Sequence, residues 1–378
     1  MTHLSKQTLD PWFRLTQVQG IGNYLFKRLI DRFASPEAVF AATDTELATV
    51  EGMGPGRIRL IRHARLPDDF HRIVDHCRSA DIHILHQKSE AYPALLLTLP
   101  DPPPLLYVKG DLDHQLPAVS IVGSRNATPY GKRAAYRLGT DLARNGISVV
   151  SGMARGIDTA AHMGALDAGG HTVGVLGCGV DRIYPPENRG LFDRITRPRN
   201  GIETASGALI SEFPLGTEPE AHHFPLRNRI ICGMTHGTVV VEAARRSGSL
   251  ITARLAAEQG REVFAVPGSI GSATSSGTHG LLKQGAKLVE HVDDILEELT
   301  HVIGMPPGLS AVPETPRPDF SPDEQRVWDA LSPYPAPIDH LIRATGFDPG
   351  KLTGLLLAME LAGHVIAVPG KQYYRNEA

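Results

Sequence analysis

Arginine, glycine and small hydroxyl residues recur together at several separated places in this sequence. The groups are Gly123-Ser124-Arg125, Ser151-Gly152-Met153-Ala154-Arg155-Gly156, Phe224-Pro225-Leu226-Arg227-Asn228-Arg229 and Ser247-Gly248-Ser249. A guanidinium presents a planar fork of donors that fits a phosphate, glycine lets backbone come close to a ligand, and a helix start offers unpaired amides. Together these residue types suit the holding of an anion, a run of phosphates above all. They do not suit bond-breaking, and no catalytic residue is expected. Asp158 and Glu242 read as carboxylates that orient arginines. His162, four residues after Asp158 on the same helical face, reads as a packing or hydrogen-bonding residue. The adjacent pair His222-His223 has the wrong spacing for one helix face, and Cys77, Cys178 and Cys232 form no ligand pattern, so neither a metal nor a cofactor is expected.

Any one of these loops is ordinary turn chemistry by itself; what precedes them gives them weight. Six short runs lie between residues 118 and 266: Val119–Val122, Ile147–Val150, Thr172–Leu176, Ala208–Ile210, Thr238–Val241 and Val263–Val266. They are nearly continuous in apolar residues, the pattern of strands buried on both faces. Stretches long enough for crossover helices, such as Tyr130–Asn145 and Leu250–Gln259, separate them. This predicts a Rossmann-like α/β fold with a parallel sheet, and in such folds ligands gather beyond the carboxyl ends of the strands. Each basic loop follows a predicted strand. The order of the strands is not readable from the sequence.

Four regions are expected: an N-terminal helical domain over 1–80, an extended Rossmann-like domain over 81–300, a proline-rich linker over 301–320 and a C-terminal domain over 321–378. Residues 13–65 hold two glycine turns, Gly20-Ile21-Gly22 and Gly52-Met53-Gly54, of helix-hairpin-helix appearance, and Arg57, Arg59, Arg62 and Arg65 after the second turn suggest a basic helical face. The C-terminal region reads as three helices and a hairpin, the order of a winged helix. Its third helix, with Leu352, Thr353, Met359 and Glu360, lacks the positive charge that DNA reading needs, so protein contact or a structural role is favoured.

The 378 residues carry 38 Lys+Arg against 41 Asp+Glu, a formal charge of −3, so polyanion binding must come from local clusters rather than an overall field. With few scattered cysteines, no signal-like N-terminus and no long apolar run, the chain is expected to be soluble and cytoplasmic, without membrane contact.

The motifs Gly123-Ser124-Arg125, Ser151-Gly152-Met153-Ala154-Arg155-Gly156-Ile157-Asp158, Gly179 with Tyr184-Pro185, Ser211-Glu212, Phe224-Pro225-x-Arg227-Asn228-Arg229-Ile230, Ser247–Thr252 and Pro267-Gly268 closely resemble those of the DNA-processing protein A (DprA/Smf) family. The resemblance implies a sterile-alpha-motif or helix-hairpin-helix domain, a Rossmann-like domain and a winged helix. It also implies a mediator that binds incoming single-stranded DNA, protects it and loads the recombinase RecA during natural transformation, as a homodimer built through the Rossmann-like domain. On that reading the DNA-binding residues are Gly123, Ser124, Arg125, Ser151, Gly152, Arg155, Gly156, Phe224, Arg227, Asn228, Arg229, Ser247, Gly248 and Ser249, with Phe224 and Tyr184 as candidate stacking surfaces.

Other functions fit less well. A dehydrogenase requires GxGxxG after the first strand, where this chain has Gly123-Ser124-Arg125-Asn126-Ala127-Thr128. A nucleotide hydrolase of the lysine-decarboxylase-like group requires a Pro-Gly-Gly-x-Gly-Thr loop, where this chain has Ala243-Ala244-Arg245-Arg246-Ser247-Gly248. A purely protein-binding adaptor predicts no salt-dependent retention of oligonucleotides.

Overall fold

Apolar side chains on both faces of successive strands force a sheet to be covered twice. In the computed structural model, which describes residues 2–197, 207–303 and 320–376, that sheet organises most of the chain. Six helices come first: α1 (Lys6–Thr16), α2 (Asn23–Phe33), α3 (Pro36–Ala41), α4 (Asp44–Ala48), α5 (Pro55–Arg62) and α6 (Phe70–Ser79). Nine strands and seven helices follow: β1 (Ile82–His86), β2 (Leu105–Gly110), β3 (Ala118–Gly123), α7 (Pro129–Arg144), β4 (Ser148–Ser151), α8 (Ile157–Asp167), β5 (Thr172–Val175), α9 (Arg189–Thr196), β6 (Gly207–Ser211), α10 (His223–Gly233), β7 (Gly237–Val241), α11 (Gly248–Glu258), β8 (Glu262–Ala265), α12 (Ser276–Lys283), β9 (Lys287–Leu288) and α13 (Val292–Ile303).

The strands form one sheet in the order β1-β2-β6-β5-β4-β3-β7-β8-β9. From β6 to β9 all pairings are parallel, whereas β2 runs antiparallel to β6 and β1 antiparallel to β2. The expected Rossmann-like parallel sheet is therefore present, and all six predicted strands lie in it. The antiparallel edge of β1 and β2 was not predicted as strand, because Ile82–His86 interleaves histidines with aliphatics and Leu105–Val108 follows a run of prolines. The chain builds outward from β3 through β4 and β5 to β6, then returns to the other side of β3 for β7 and β8. The loops after β3 and β7 thus part at a topological switch point.

Strand alternation sorts the core. Val119, Ile121, Val149, Val239 and Phe264 face α7, α8 and α13, while Val150, Val173, Val175, Ile210 and Val240 face α10 and α11. The N-terminal helices have no core of their own. Trp12, Phe26, Leu29 and Phe70 share a continuous cluster with Tyr107, Met153 and Leu209 of the sheet layer. The two glycine turns are real, with Gly20 at φ 82° and Gly52 at φ 91°. The basic face expected after them is thinner than the sequence suggests. Arg57 donates to the carbonyls of Gly20 (3.0 Å) and Gly52 (2.7 Å), clamping the turns together, and Arg62 donates to Phe40 O (2.9 Å) and pairs with Asp44 (2.8 Å). Only Arg59 and Arg65 of the four remain exposed without such partners among the described residues.

The sheet and the N-terminal helices belong to one unit of the chain, and the residues from Gly308 onward belong to a second. The proline-rich stretch lies mostly outside the described residues. Beyond it come α14 (Pro322–Ala330), β10 (Ala336–Pro337), α15 (Ile338–Thr345), α16 (Pro349–Leu361), β11 (Val365–Val368) and β12 (Gln372–Arg375), with a small sheet ordered β10-β12-β11. Val327, Leu341, Leu352, Leu356 and Met359 make its core. This is the expected winged helix. On α16 the single cation, Lys351, pairs with Asp323 at 2.8 Å. No described helix is long and apolar enough to cross a membrane.

Phe264 is fully buried beneath β7 and α13. Truncation to alanine removes a ring from a close-packed layer and is expected to cost about 3–5 kcal/mol. Urea unfolding of Phe264→Ala against the wild type measures it.

Candidate nucleic-acid interface

The loops after β3 and β4 and the end of β7 are pressed together by glycines that tolerate no side chain. A Cβ on Gly123 would collide with the carbonyl of Val241 and with Ile157, and one on Gly156 (φ 79°) with the carbonyl of Ser124. The amide of Ile157 donates to Ser124 O at 3.2 Å, so the first two loops are bonded directly. Ser151 is fully buried, its hydroxyl donating to Ile121 O at 2.6 Å. It ties β4 to β3 and does not face a ligand, which corrects its assignment as a DNA contact.

The Ser151–Gly156 loop turns sharply. Met153 holds a left-handed φ of 56°, uncommon for a residue with a side chain. Asp158, buried at the start of α8, accepts from the amides of Gly152 (3.0 Å) and Ala154 (3.3 Å). Asn188 donates to Met153 O (2.8 Å), and the Thr159 hydroxyl donates to Ala154 O (2.8 Å). Every turn of the loop thus has a fixed partner. Asn188 and Thr159 were not singled out in the sequence, since their role depends on contacts across 30 or so residues.

Beneath this loop lies Arg227. It is 4 % exposed and donates to Gly152 O (2.8 Å) and to Val175 O. Burial lowers its guanidinium to about 10, partly offset by Asp158, so it remains a cation at neutral pH. Burial raises the Asp158 carboxyl, opposed by Arg227 and by the two amides. A Cβ on Gly152 would stand 2.7 Å from this guanidinium, which explains the glycine. The expectation of a surface phosphate clamp at Arg227 is therefore corrected: the side chain is buried beneath the loop, with Nη1 donating to both carbonyls and Nε left without a partner among the described residues.

Arg229 is corrected for a different reason. Two residues apart on a helix lie on different faces, so Arg227 and Arg229 diverge from α10. Arg229 pairs with Asp101 (Nε to Oδ2, 3.2 Å) and with Glu212, and donates to Asp101 O at 3.0 Å. Glu212 also accepts from Asn23 of α2 at 3.2 Å. This network joins α10, the end of β6 and the helical region, and burial raises both Glu212 and Asp101 against the pull of Arg229. Its guanidinium is not available to a ligand in this arrangement.

What remains open forms a pocket. Arg125, Arg155, Tyr184, Phe224 and the backbone of Gly152 to Ala154 and of Gly177 line it, with Arg227 as its floor. The Arg125 guanidinium stands 5.3 Å from the Phe224 ring centroid, and the Tyr184 ring lies 5.5 Å from that of Phe224. Phe224 is half-buried, and Arg125 is exposed. Arg155 is exposed and paired with Glu187 at 2.6 Å, an exchangeable surface contact. Ser124 accepts from the amide of Asn126 at 3.2 Å, and Asn228 is half-buried on α10.

The loop after β7 stands on the same edge of the sheet. Ser247 caps α11, accepting from the amide of Ser249 at 3.4 Å, and Gly248 is exposed with open space around it. Ser249 itself is buried. The same loop carries Arg245 and Arg246, both exposed and without an ion-pair partner among the described residues. They are the cations that sequence reading passed over, although an Arg-Arg pair directly after a predicted strand was the available signal.

His162 is fully buried behind the pocket. Its Nδ1 meets Thr172 Oγ1 at 2.7 Å, and Thr172 donates to Val149 O at 2.6 Å, so Nδ1 carries the proton. The expected hydrogen-bonding role is the one observed.

A basic and aromatic pocket at the carboxyl edge of a parallel α/β sheet, with a helical region before it and a winged helix after it in the chain, places the protein in the Rossmann-like α/β class. The chain belongs to the DNA recombination-mediator protein A family, whose model matches residues 83–300. Residues 311–371 match the winged-helix domain of the same proteins. The Smf protein of Synechocystis is 33 % identical over 97 % of this chain and 98 % of its own length. That of Escherichia coli is 43 % identical over 76 % of each chain. The solved structure of DNA processing protein A from Streptococcus pneumoniae superposes with a TM-score of 0.63 at 34 % identity, covering 79 % of this chain and 99 % of that one. That of Helicobacter pylori, solved to describe its single-stranded DNA binding mode, gives 0.51 at 30 % identity, covering 58 % and 96 %.

Removing a buried cation leaves its partners uncompensated. Arg227→Met is expected to lower stability by about 3 kcal/mol, whereas Arg125→Ala, on the surface, should shift it by less than about 0.5 kcal/mol. Urea midpoints separate the two. Acid provides another test. Burial depresses His162 to about 3, against roughly 6.5 in an unfolded chain. Between these values the unfolded state binds the extra proton, so stability is complete above about pH 6.5 and falls on acidification, by at most about 3 kcal/mol at pH 4. His162→Gln should flatten that decline when unfolding is measured from pH 7 to pH 4.

Proposed function

We propose that this chain is a single-stranded DNA-binding recombination mediator, which shields incoming DNA and loads RecA onto it during natural transformation. It acts as a homodimer through its Rossmann-like domain, in the cytoplasm, by binding and without catalysis. Membership of the DNA recombination-mediator protein A family supports this reading, as does the description of single-stranded DNA binding for the Helicobacter pylori relative.

The observation that carries it is the placement of exposed Arg125 5.3 Å from the half-buried ring of Phe224, above a floor made cationic by Arg227. A single strand offers both a phosphate and an unpaired base face. The phosphate goes to Arg125, the amides around Gly152 and, once Glu187 is displaced, Arg155. The base goes to Phe224 and Tyr184. A duplex keeps its bases stacked inside and cannot use the aromatic half of the pocket. Gly123, Ser124 and Gly156 contribute by holding the loops close, Asn228 by its place beside Phe224 on α10, and Ser247, Gly248 and Ser249 by presenting the start of α11. Ser151, Arg227 and Arg229 act through the scaffold.

Fluorescence anisotropy with single- and double-stranded oligonucleotides tests the reading. The single strand is expected to bind more tightly, with log affinity falling linearly in log salt. Arg125→Ala and Phe224→Ala should each weaken single-strand binding about tenfold or more, a loss of roughly 1–3 kcal/mol for a stacked base. The double variant of Arg245 and Arg246 to alanine should reduce the salt slope. Lys351→Ala, on the winged helix, should leave affinity within about twofold. Equal affinity for duplex, or indifference to Arg125 and Phe224 together, sinks this assignment.

A further inference from the structure

We infer that Glu187 is a built-in competitor of the DNA strand: its carboxylate holds Arg155 in the place of a phosphate, and a strand must displace it to use that arginine. The inference rests on the single-strand reading of the pocket and adds to it a device that sets how tightly the ligand is held.

The two side chains meet Nη2 to Oε1 at 2.6 Å. A carboxylate presents oxygens to a guanidinium fork much as a phosphate does, so the two anions compete for the same donors. Arg155 lines the pocket, whereas Glu187 stands outside the lining. The carboxylate therefore covers the arginine from the rim. Both side chains are more than half exposed, so rotation of Glu187 about its own bonds frees the arginine without any backbone movement.

The scaffold sets this pairing. Pro186–Asn188 forms a single 3-10 turn, and its last residue, Asn188, is buried. Asn188 donates to Met153 O at 2.8 Å and to the Thr159 hydroxyl at 3.0 Å, and Thr159 donates in turn to Ala154 O at 2.8 Å. The turn carrying Glu187 and the loop carrying Arg155 are thus bonded to each other beside the ion pair. Those buried bonds already brace the loop, and an exposed ion pair adds little to them. The contrast is with Arg229, whose pairs with Asp101 and Glu212 are largely buried and do act as braces.

Charge and placement fit a competitor. The amide of Glu187, and then Arg155, hold the Glu187 carboxyl below the usual glutamate range, so it is an anion at neutral pH. Arg125, the other exposed cation of the pocket, has no ion-pair partner among the described residues. A carboxylate tethered beside its arginine acts at a high effective concentration, which dilute anions in solution do not match. A strand already held at Arg125 and Phe224 offers a neighbouring phosphate on similar terms.

Fluorescence anisotropy of a labelled single-stranded oligonucleotide tests this in four full-length proteins: wild type, Glu187→Gln, Arg155→Ala and the double variant. Glu187→Gln is expected to tighten binding about two- to fivefold, the range of an exposed ion pair, and Arg155→Ala to weaken it. With Arg155 already replaced, Glu187→Gln should change nothing. Glu187→Ala, which also removes the amide oxygen still able to accept from Arg155, should tighten binding at least as much as glutamine does. Both positions are on the surface, and circular dichroism of every variant should match the wild type. Unchanged or weaker binding in both Glu187 variants overturns the inference. So does an equal gain with and without Arg155, because a carboxylate that merely repels DNA through solvent acts alike on either background. Failure of the underlying reading looks different: a wild type that retains no single strand removes both proposals, whereas one whose binding depends on Arg125 and Phe224 but not on Glu187 removes the competitor alone.

Discussion

A guanidinium held away from water shapes the ligand edge of this protein. Arg227 reaches from α10 under the ends of β4 and β5, and its Nη1 donates to the carbonyls of Gly152 and Val175. A charge in that position is tolerable only where acceptors are fixed around it, so the Gly152–Ala154 turn, Asp158 and the spacing of α10 from the sheet become mutually dependent. Gly152 cannot carry a side chain because the guanidinium occupies the space, and Asp158 both compensates the charge and holds the turn's amides. The pocket inherits a cationic floor that no ligand needs to reorganise.

Around that floor, the arginines divide into two kinds of work. Arg227 and Arg229 brace the structure, the first within the sheet edge and the second between α10, Asp101 and the Glu212–Asn23 contact with the helical region. Arg125, Arg155, Arg245 and Arg246 remain at the surface, where weakly held or unheld cations can meet a phosphate chain. A protein with a formal net charge of −3 can serve a polyanion in this way, because the field that matters is set within a few ångströms of the pocket rather than by the net charge. Phe224 gives the same pocket an apolar wall, flanked by Arg125 and Tyr184.

The helical region is part of the same construction. Its core merges with that of the sheet through Trp12, Phe26, Met153 and Leu209, and Arg57 locks its two glycine turns to each other. Movement of these helices would be felt at Glu212 and therefore at Arg229 on α10, the helix that carries both Phe224 and Arg227.

The amino-acid sequence alone determined the parallel-sheet class, the six central strands and the winged helix, because strands buried on both faces and helix caps leave local patterns that survive without neighbours. It also determined that glycine, hydroxyl and arginine residues follow those strands. It did not determine which arginines face solvent. In Arg227-Asn228-Arg229 the two cations look equivalent, yet one turns under the sheet and the other toward Asp101 and Glu212, since helix geometry separates i from i+2 and the partners come from more than 100 residues away for Asp101. Ser151 reads as a phosphate donor until β3 is placed beside it. Charge and residue type are written locally; burial and partnership depend on contacts distant in sequence, and only the tertiary structure decides them.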